Sequence, residues 1–179
     1  MTRFGGRAMT VAMAVAALAH VASAQADAVK GTVTVGAATI TLASGMAVGY
    51  TTGTGQLISV LLSDKPADRQ TFAGDTKTGP GEPLVPGLFE GAWKSQHIGR
   101  KLSGFAFTVR GTTDIISEEF LVGGRNNTFS LSTGEYVIEL KSTSPRLVGR
   151  IRTKTPIVDT GSTKAGLDAT FDLAVEPRK

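Results

Sequence analysis

Short runs in which every second residue is apolar are the feature that most restricts the fold of this chain. In residues 32–42, apolar side chains alternate with threonines on either side of a Gly-Ala dipeptide at positions 36–37. Alternation with a period of two is typical of strands that bury one face, because successive side chains point to opposite sides. A two-residue loop with glycine first fits a tight hairpin turn. The predicted pairs are Val35 with Ala38 and Val33 with Ile40.

Similar short runs follow along the chain, and clusters of Gly, Ser, Thr, Asn and Asp separate them. The run at residues 57–62 is apolar almost throughout, which is typical of a central strand covered on both faces. Together the runs predict an all-β fold of about 8–9 strands, an antiparallel β-sandwich or a partly closed barrel. The other predicted strands lie at residues 102–109, 115–122, 128–131, 136–140, 147–153 and 169–175.

The segment that follows the predicted central strand departs from this pattern. Asp64 can cap a short helix that begins at Lys65-Pro66, since proline is tolerated in the first turn of a helix. Residues 73–99 then have the glycines and prolines of a long loop. So long a connection in a compact domain is usually functional or poorly ordered. We therefore expect one short helix after the central strand, and then a long loop.

The first 24 residues have the three parts of a secretory signal peptide. Arg3 and Arg7 make the start basic, residues 8–21 are apolar, and Ala22-Ser23-Ala24 supplies the small residues that signal peptidase requires. The apolar run is shorter than the roughly 20 residues of a membrane span. We expect cleavage after Ala24 and a periplasmic or secreted protein, with residues 25–179 forming a single domain.

The composition argues against several chemistries. The chain has no cysteine, which excludes disulfides and the lipid-modified cysteine of a lipoprotein. His97 is the one histidine after the leader and cannot supply a usual zinc ligand set, and no Asp-rich loop resembles a calcium motif. The net charge of +4 falls to +2 without Arg3 and Arg7, so nucleic acid is not an expected partner. We expect neither a metal nor a cofactor.

A row of basic residues in one predicted strand is the first candidate binding surface. Arg150, Arg152 and Lys154 fall at every second position and are expected on one face. Such a stripe either binds an anionic glycan, a lipid headgroup or an envelope protein, or forms ordinary cross-strand ion pairs. Glu139 in the preceding predicted strand and Asp172 in the last one also alternate outward. They are the acids expected to offset the arginines.

The long loop carries the second candidate surface, which consists of Phe89, Trp93 and His97. Trp93 and Phe89 either pin the loop onto the sheet or form an exposed stacking platform for a sugar ring or a peptide. A hydrolase would need His97 together with Ser95 and a carboxylate such as Asp114. No Gly-x-Ser-x-Gly elbow is present to hold such a serine. Spacing alone leaves these interpretations open.

Four short motifs occur in order along the chain. They are a Gly-Thr-Val-Thr-Val stretch after the leader, Ser63-Asp64-Lys65-Pro66, Gly149-Arg150-Ile151-Arg152-Thr153 and Thr170-Phe171-Asp172-Leu173. In that order they resemble a loose group of uncharacterised exported bacterial proteins. The resemblance implies a single β-rich extracytoplasmic domain and carries over no catalytic residue.

These observations favour a noncatalytic binding or envelope-associated module, with the basic stripe and the loop around residues 89–97 as its contact surfaces. Fold alone does not establish function, and two alternatives stay open. The first is a small periplasmic hydrolase that uses His97 with a nearby serine or carboxylate. The second is a structural subunit that assembles by strand addition, for which residues 29–35 form the expected free edge.

Overall fold

The computed structural model describes residues 25–53, 55–67, 102–122, 125–127, 135–158 and 163–177. Every regular element in these residues is a β-strand, which confirms the all-β prediction, and no helix in them could cross a membrane. The strands are β1 (Ala28–Val35), β2 (Ala38–Leu42), β3 (Ser44–Thr52), β4 (Gly55–Ser63), β5 (Gly104–Arg110), β6 (Asp114–Val122), β7 (Arg125–Asn127), β8 (Tyr136–Ser142), β9 (Arg146–Thr153), β10 (Ile157–Val158) and β11 (Lys164–Pro177).

The strands form one sheet in which β11 joins two groups. The order is β2-β1-β11-β3-β4-β5-β6-β7, while β9 and β10 also pair with β11, and β8 pairs with β9. Residues 164–174 of β11 lie between β1 on one side and β9 and β10 on the other, and residues 175–177 pair with β3. We call β1, β2, β8, β9, β10 and residues 164–174 of β11 the charged half, and β3 to β7 the apolar half.

The pairings among the described strands are antiparallel, as predicted, with one exception. β11 runs parallel to β3, from Val175 beside Ala47 to Pro177 beside Gly49. Within the described residues no pairing joins β7, at one end of the order, to β2 or β8. The sheet is therefore not closed there.

The hairpin of β1 and β2 has the predicted register. Val35 pairs with Ala38, and Val33 pairs with Ile40. The first residue of the turn, Gly36, has a φ of +57°, a conformation that residues with a Cβ rarely adopt. Sequence pattern and turn chemistry therefore specify the same pairing.

β1 is not an edge strand, so the prediction of a free edge at residues 29–35 is wrong. Besides β2, it pairs with β11 from Ala28 beside Asp172 to Val35 beside Ala165. β11, which covers this side of β1, lies more than a hundred residues later in the chain. The local sequence pattern around β1 does not predict that pairing. The edge of the charged half at this end is β2.

Side chains from both halves share one core. The ring centroid of Phe107 in β5 lies 6.0 Å from that of Phe171 in β11, and Phe105 in β5 lies 5.6 Å from Tyr136 in β8. Because β3 and β4 separate β5 from β11 in the sheet, the contact between Phe107 and Phe171 crosses the interior. Burial of such apolar surface is the main source of stability. Other fully buried members are Leu62, Phe120, Leu147, Ile151 and Leu173.

The apolar half is also buried on the face that points away from this core. A second apolar cluster lies there, with side chains that are at most 6% exposed. Every residue from Leu57 to Ser63 of β4 is buried, which confirms the prediction of a central strand covered on both faces. The members of the second cluster are Met46, Leu61, Leu102, Ala106 and Leu121.

The short helix predicted after the central strand is not present at residues 65–67. Asp64, the expected cap, forms two hydrogen bonds with Ser103 instead. The Asp64 N–H donates to the Ser103 carbonyl at 2.9 Å, and the Ser103 N–H donates to Asp64 Oδ1 at 2.9 Å. Those bonds use the groups that a helix cap needs. The rest of the predicted helix and the predicted loop at residues 73–99 lie outside the described residues.

Strands β3, β7 and β10 are additions to the predicted set, and β7 lies within one of the clusters of turn-forming residues that separate the predicted strands. Glycines obscure β3, since they weaken the strand pattern. A Cβ on Gly45 would lie 2.7 Å from Val29 Cγ2, and a Cβ on Gly49 would lie 2.9 Å from Val175 Cγ1. Close packing against other strands therefore requires glycine where local propensity argues against a strand.

Candidate binding groove

Four strands of the charged half, in the order β1-β11-β9-β8, align their outward side chains in rows across the sheet. The registers place Lys30 beside Thr170, Thr170 beside Arg150, and Arg150 beside Glu139. Chain neighbours such as Phe171 are buried in the core. Because side chains alternate along a strand, these four residues point to the outer face.

Short side chains among these long ones leave a groove of about 390 Å³ on the outer face. Ala28, Val148 and Thr170 line it, and their small size leaves space between the longer charged side chains. Arg150 and Glu139 of the row described above also line the groove. A shallow surface of mixed polarity therefore spans all four strands.

Lys30 and Lys141 line the groove on its two outermost strands, β1 and β8. With β11 and β9 between them, the strands that carry these lysines are about 14 Å apart at the usual strand spacing. Both side chains are exposed, and neither forms an ion pair with any described residue. Their charges are therefore available to a ligand.

Arg150 is held in place by Asp168 of β11. Arg150 Nε donates to Asp168 Oδ1 at 2.9 Å and Nη2 donates to Oδ2 at 2.6 Å, although the side chains are 46% and 53% exposed. This hydrogen-bonded pair raises the pKa of Arg150. It also lowers the pKa of Asp168, with a further contribution from the charge of Arg152. Arg150 is thus a positioned cation whose charge is matched within the protein.

Arg146, at the start of β9, is the centre of a second ionic network. Its Nε donates to Asp172 Oδ1, and its Nη2 lies 3.4 Å from Asp27 Oδ1. Its Nη1 donates to the carbonyl of Gln25 at 3.0 Å, and Asp27 Oδ1 accepts the N–H of Ala174 at 2.7 Å. Arg146 is only 20% exposed, so this network ties the segment before β1 to the end of β11.

The three basic residues predicted as a stripe lie in different surroundings. Arg150 lines the groove, and half-buried Arg152 lies near enough to Asp168 to influence its pKa. Lys154 follows the end of β9 and is exposed, and its backbone N–H donates to the carbonyl of Glu135 at 2.8 Å. The groove is therefore shifted from the predicted stripe toward β1 and β8.

The acids that offset the arginines are only partly those expected. Glu139 lies beside Arg150 in register, and its negative charge adds to the effect of Asp168 in raising the pKa of Arg150. Asp172 pairs with Arg146 rather than with Arg150. The sequence reasoning missed Asp168 and Arg146, yet Asp168 shares the outward alternation of Asp172 and could have been found from it.

No family model, curated protein or solved structure matches this chain. Within the described ranges, no group of three or more acidic, histidine or cysteine side chains is placed to hold a metal. Phe89, Trp93 and His97 lie outside those ranges, so the second candidate surface and the hydrolase remain predictions. The groove on the outer face of the charged half is therefore the candidate functional site among the described residues.

Proposed function

We propose that the protein is an exported, noncatalytic β-sandwich module that binds an extended acidic glycan across the groove. The charged half and the apolar half are the two layers of the sandwich, and the contact of 6.0 Å between Phe107 and Phe171 supports this arrangement. The basic start and apolar run of residues 1–24 support export.

One observation carries the proposal: Lys30 and Lys141 line one groove from its two outermost strands and have no ion-pair partner among the described residues. Lysines elsewhere on a surface are ordinary solubilising groups. Two that lie on the same groove, on strands about 14 Å apart, favour a ligand with repeated negative charges. Only an extended ligand can contact both.

The rest of the lining favours a sugar polymer over a simple anion. The Thr170 hydroxyl donates to the Lys30 carbonyl at 3.3 Å, so both this hydroxyl and the Glu139 carboxylate can accept hydrogen bonds from sugar hydroxyls, which a simple anion does not supply. Ala28 and Val148 offer small apolar surfaces between the charged groups. Such a mixture suits the alternating polar and apolar faces of sugar rings.

Isothermal titration of the purified protein with an oligogalacturonate at low ionic strength tests this proposal. We expect binding that weakens as salt is added, because the contacts are exposed ion pairs. Replacing Lys30→Glu together with Lys141→Glu should reduce the affinity at least tenfold. The matched control is Lys154→Glu with Lys164→Glu, which changes the net charge equally but lies outside the lining residues.

Four outcomes contradict the proposal. Absence of binding at low salt removes the ligand class, and equal weakening by the control pair shows an effect of net charge alone. Equal binding of a neutral oligosaccharide of the same length shows that the lysines do not select acids. Anionic lipid vesicles that bind in place of the oligogalacturonate, with the same dependence on Lys30 and Lys141, assign the groove to a membrane surface instead.

A further inference from the structure

Strand β2 leaves part of its backbone open at the edge of the charged half. Among the described strands it pairs only with β1. The two-residue turn makes Val35 and Ala38 a hydrogen-bonded pair, so hydrogen-bonded pairs recur at Ile40 and Leu42. The N–H and C=O groups of the residues between them, at positions 39 and 41, therefore point away from β1.

Ala43, two residues after Thr41, confirms that the backbone groups at these alternate positions point away from β1. The N–H of Ala43 points away from β1 and donates to the carbonyl of Ser63 at 2.9 Å, so β4 covers the edge at that position. Thr39 and Thr41 are exposed, and no described residue bonds to their outward backbone groups. The open part of the edge thus consists of the backbone groups of Thr39 and Thr41, which supply two N–H donors and two C=O acceptors.

The edge lacks the features by which proteins prevent strand pairing. β2 contains no charged residue and no proline, and its pairing with β1 is unbroken by a bulge. The opposite edge of the charged half, β8, differs: it contains Glu139 and Lys141, and its register shifts between Leu140 and Ser142. Charges and bulges of this kind hinder edge-to-edge association. Of these two edges, as far as the described residues show, β2 is therefore the one open to another strand.

We propose that a second copy of this chain pairs with β2 edge to edge, antiparallel and centred on Ile40. In that register Thr39 of each copy lies opposite Thr41 of the other, and four backbone hydrogen bonds use all of the open groups. Threonine pairs of this kind are favourable across strands. The side chain of Ile40 lies opposite Ile40 of the other copy, on the face of β2 that packs against the core.

No other two-fold register uses the edge as fully. Centring the pair on Thr41 places Thr39 opposite Ala43, which is already bonded to Ser63. Centring it on Thr39 places Thr41 opposite Ala37, which lies in the turn. The sequence Ala38-Thr39-Ile40-Thr41-Leu42 is thus nearly self-complementary. So short an interface falls below the roughly 1,000 Å² of a stable complex, so the dimer is weak and forms at high protein concentration.

Analytical ultracentrifugation over a wide concentration range tests this association. We expect a monomer at low concentration and a reversible dimer at high concentration. Thr41→Pro should abolish the dimer, since proline lacks the outward N–H and that group makes no bond to β1. Thr41→Val is the matched control and should still dimerise, because it keeps the backbone donor and a similar shape. A monomer throughout, or equal dimerisation of both variants, overturns the proposal.

Two further measurements fix the register. Hydrogen exchange at the amides of Thr39 and Thr41 should slow as the protein concentration rises, while that of Ile40 stays slow throughout. The chain has no cysteine, so Ile40→Cys introduces a single thiol, and its Cα should lie about 4.5 Å from its counterpart, within disulfide range. Oxidation should link it faster than Thr32→Cys, an exposed site on β1. Equal rates contradict the register, whatever the outcome of glycan binding.

Discussion

The outer faces of the two halves of the sheet are opposites. On the charged half, Lys30 and Glu139 are exposed and Arg150 is half exposed, around a groove. On the apolar half, Leu61 and Leu121 on the corresponding face have no exposure. Both halves contribute to one shared core, so only the apolar half is buried on both sides. This difference gives the apolar half a second buried surface and leaves the outer surface of the charged half exposed to solvent.

Three polar side chains of the apolar half follow the same division. Tyr50, Ser59 and Thr108 are buried, and the Ser59 hydroxyl lies 3.1 Å from the Tyr50 hydroxyl and 2.8 Å from that of Thr108. These hydroxyls satisfy one another, as buried polar groups must. On the charged half the ion pair of Arg150 and Asp168 is open to water, where such pairs contribute little.

The largest effect expected from this comparison is that of Leu61→Ala. It removes a fully buried side chain from the outer face of the apolar half and should lower the free energy of unfolding by about 2–5 kcal/mol. Val148→Ala, on the outer face of the charged half, should change it by less than about 1 kcal/mol. Urea denaturation of both variants measures the difference. Similar losses would mean that the two outer faces do not differ in their contribution to stability.

Ser59→Ala should have the next largest effect. It removes the middle of the three hydroxyls and leaves those of Tyr50 and Thr108 without their shared partner. Leaving buried polar groups unsatisfied should lower the free energy of unfolding by about 1–3 kcal/mol. Tyr50→Phe removes only one end of the chain and should be milder. A larger loss for Tyr50→Phe in the same denaturation assay would contradict this arrangement.

Asp168→Asn should have the smallest effect, and the effect should depend on pH. The folded protein lowers the pKa of Asp168 through Arg150, so the carboxylate stabilises the fold above its unfolded pKa, about 3.9. That contribution is lost as the pH falls through the lower folded value. The wild-type protein should therefore be slightly more stable than the variant at pH 7, with the difference disappearing in stronger acid.

Denaturation at neutral and acidic pH measures this difference, and Arg150→Gln supplies its control. In the Arg150→Gln background, Asp168→Asn should have almost no further effect, because the two side chains act as one pair. A difference between wild type and Asp168→Asn that is the same at every pH would show that the variant disturbs packing rather than charge.

The sequence predicts those parts of the fold that local pattern determines. Alternation and a glycine turn are enough to pair Val33 with Ile40, and an unbroken apolar run is enough to bury β4 on both faces. The parts it misses depend on distant strands. Gly45 and Gly49 lie in a strand because other strands approach them closely, and the pairing of β11 with β1 determines which strand forms the edge.

The candidate site was predictable only in outline. Alternation correctly turns Arg150 and Glu139 outward, but the partner of Arg150 depends on the register between β9 and β11. In that register Asp168 lies beside Arg152 and reaches Arg150 diagonally. Lys30 joins the groove because β1 lies next to β11, which the amino-terminal pattern does not reveal.

The most direct test of this account is to map the backbone amide shifts of the protein by nuclear magnetic resonance as an oligogalacturonate is added at low salt. The account predicts that the largest changes fall on β1, β11, β9 and β8 around Lys30, Thr170, Arg150 and Lys141, with those of β4 and β5 unchanged. Changes centred on the apolar half, or no changes at concentrations that saturate the titration, would contradict it.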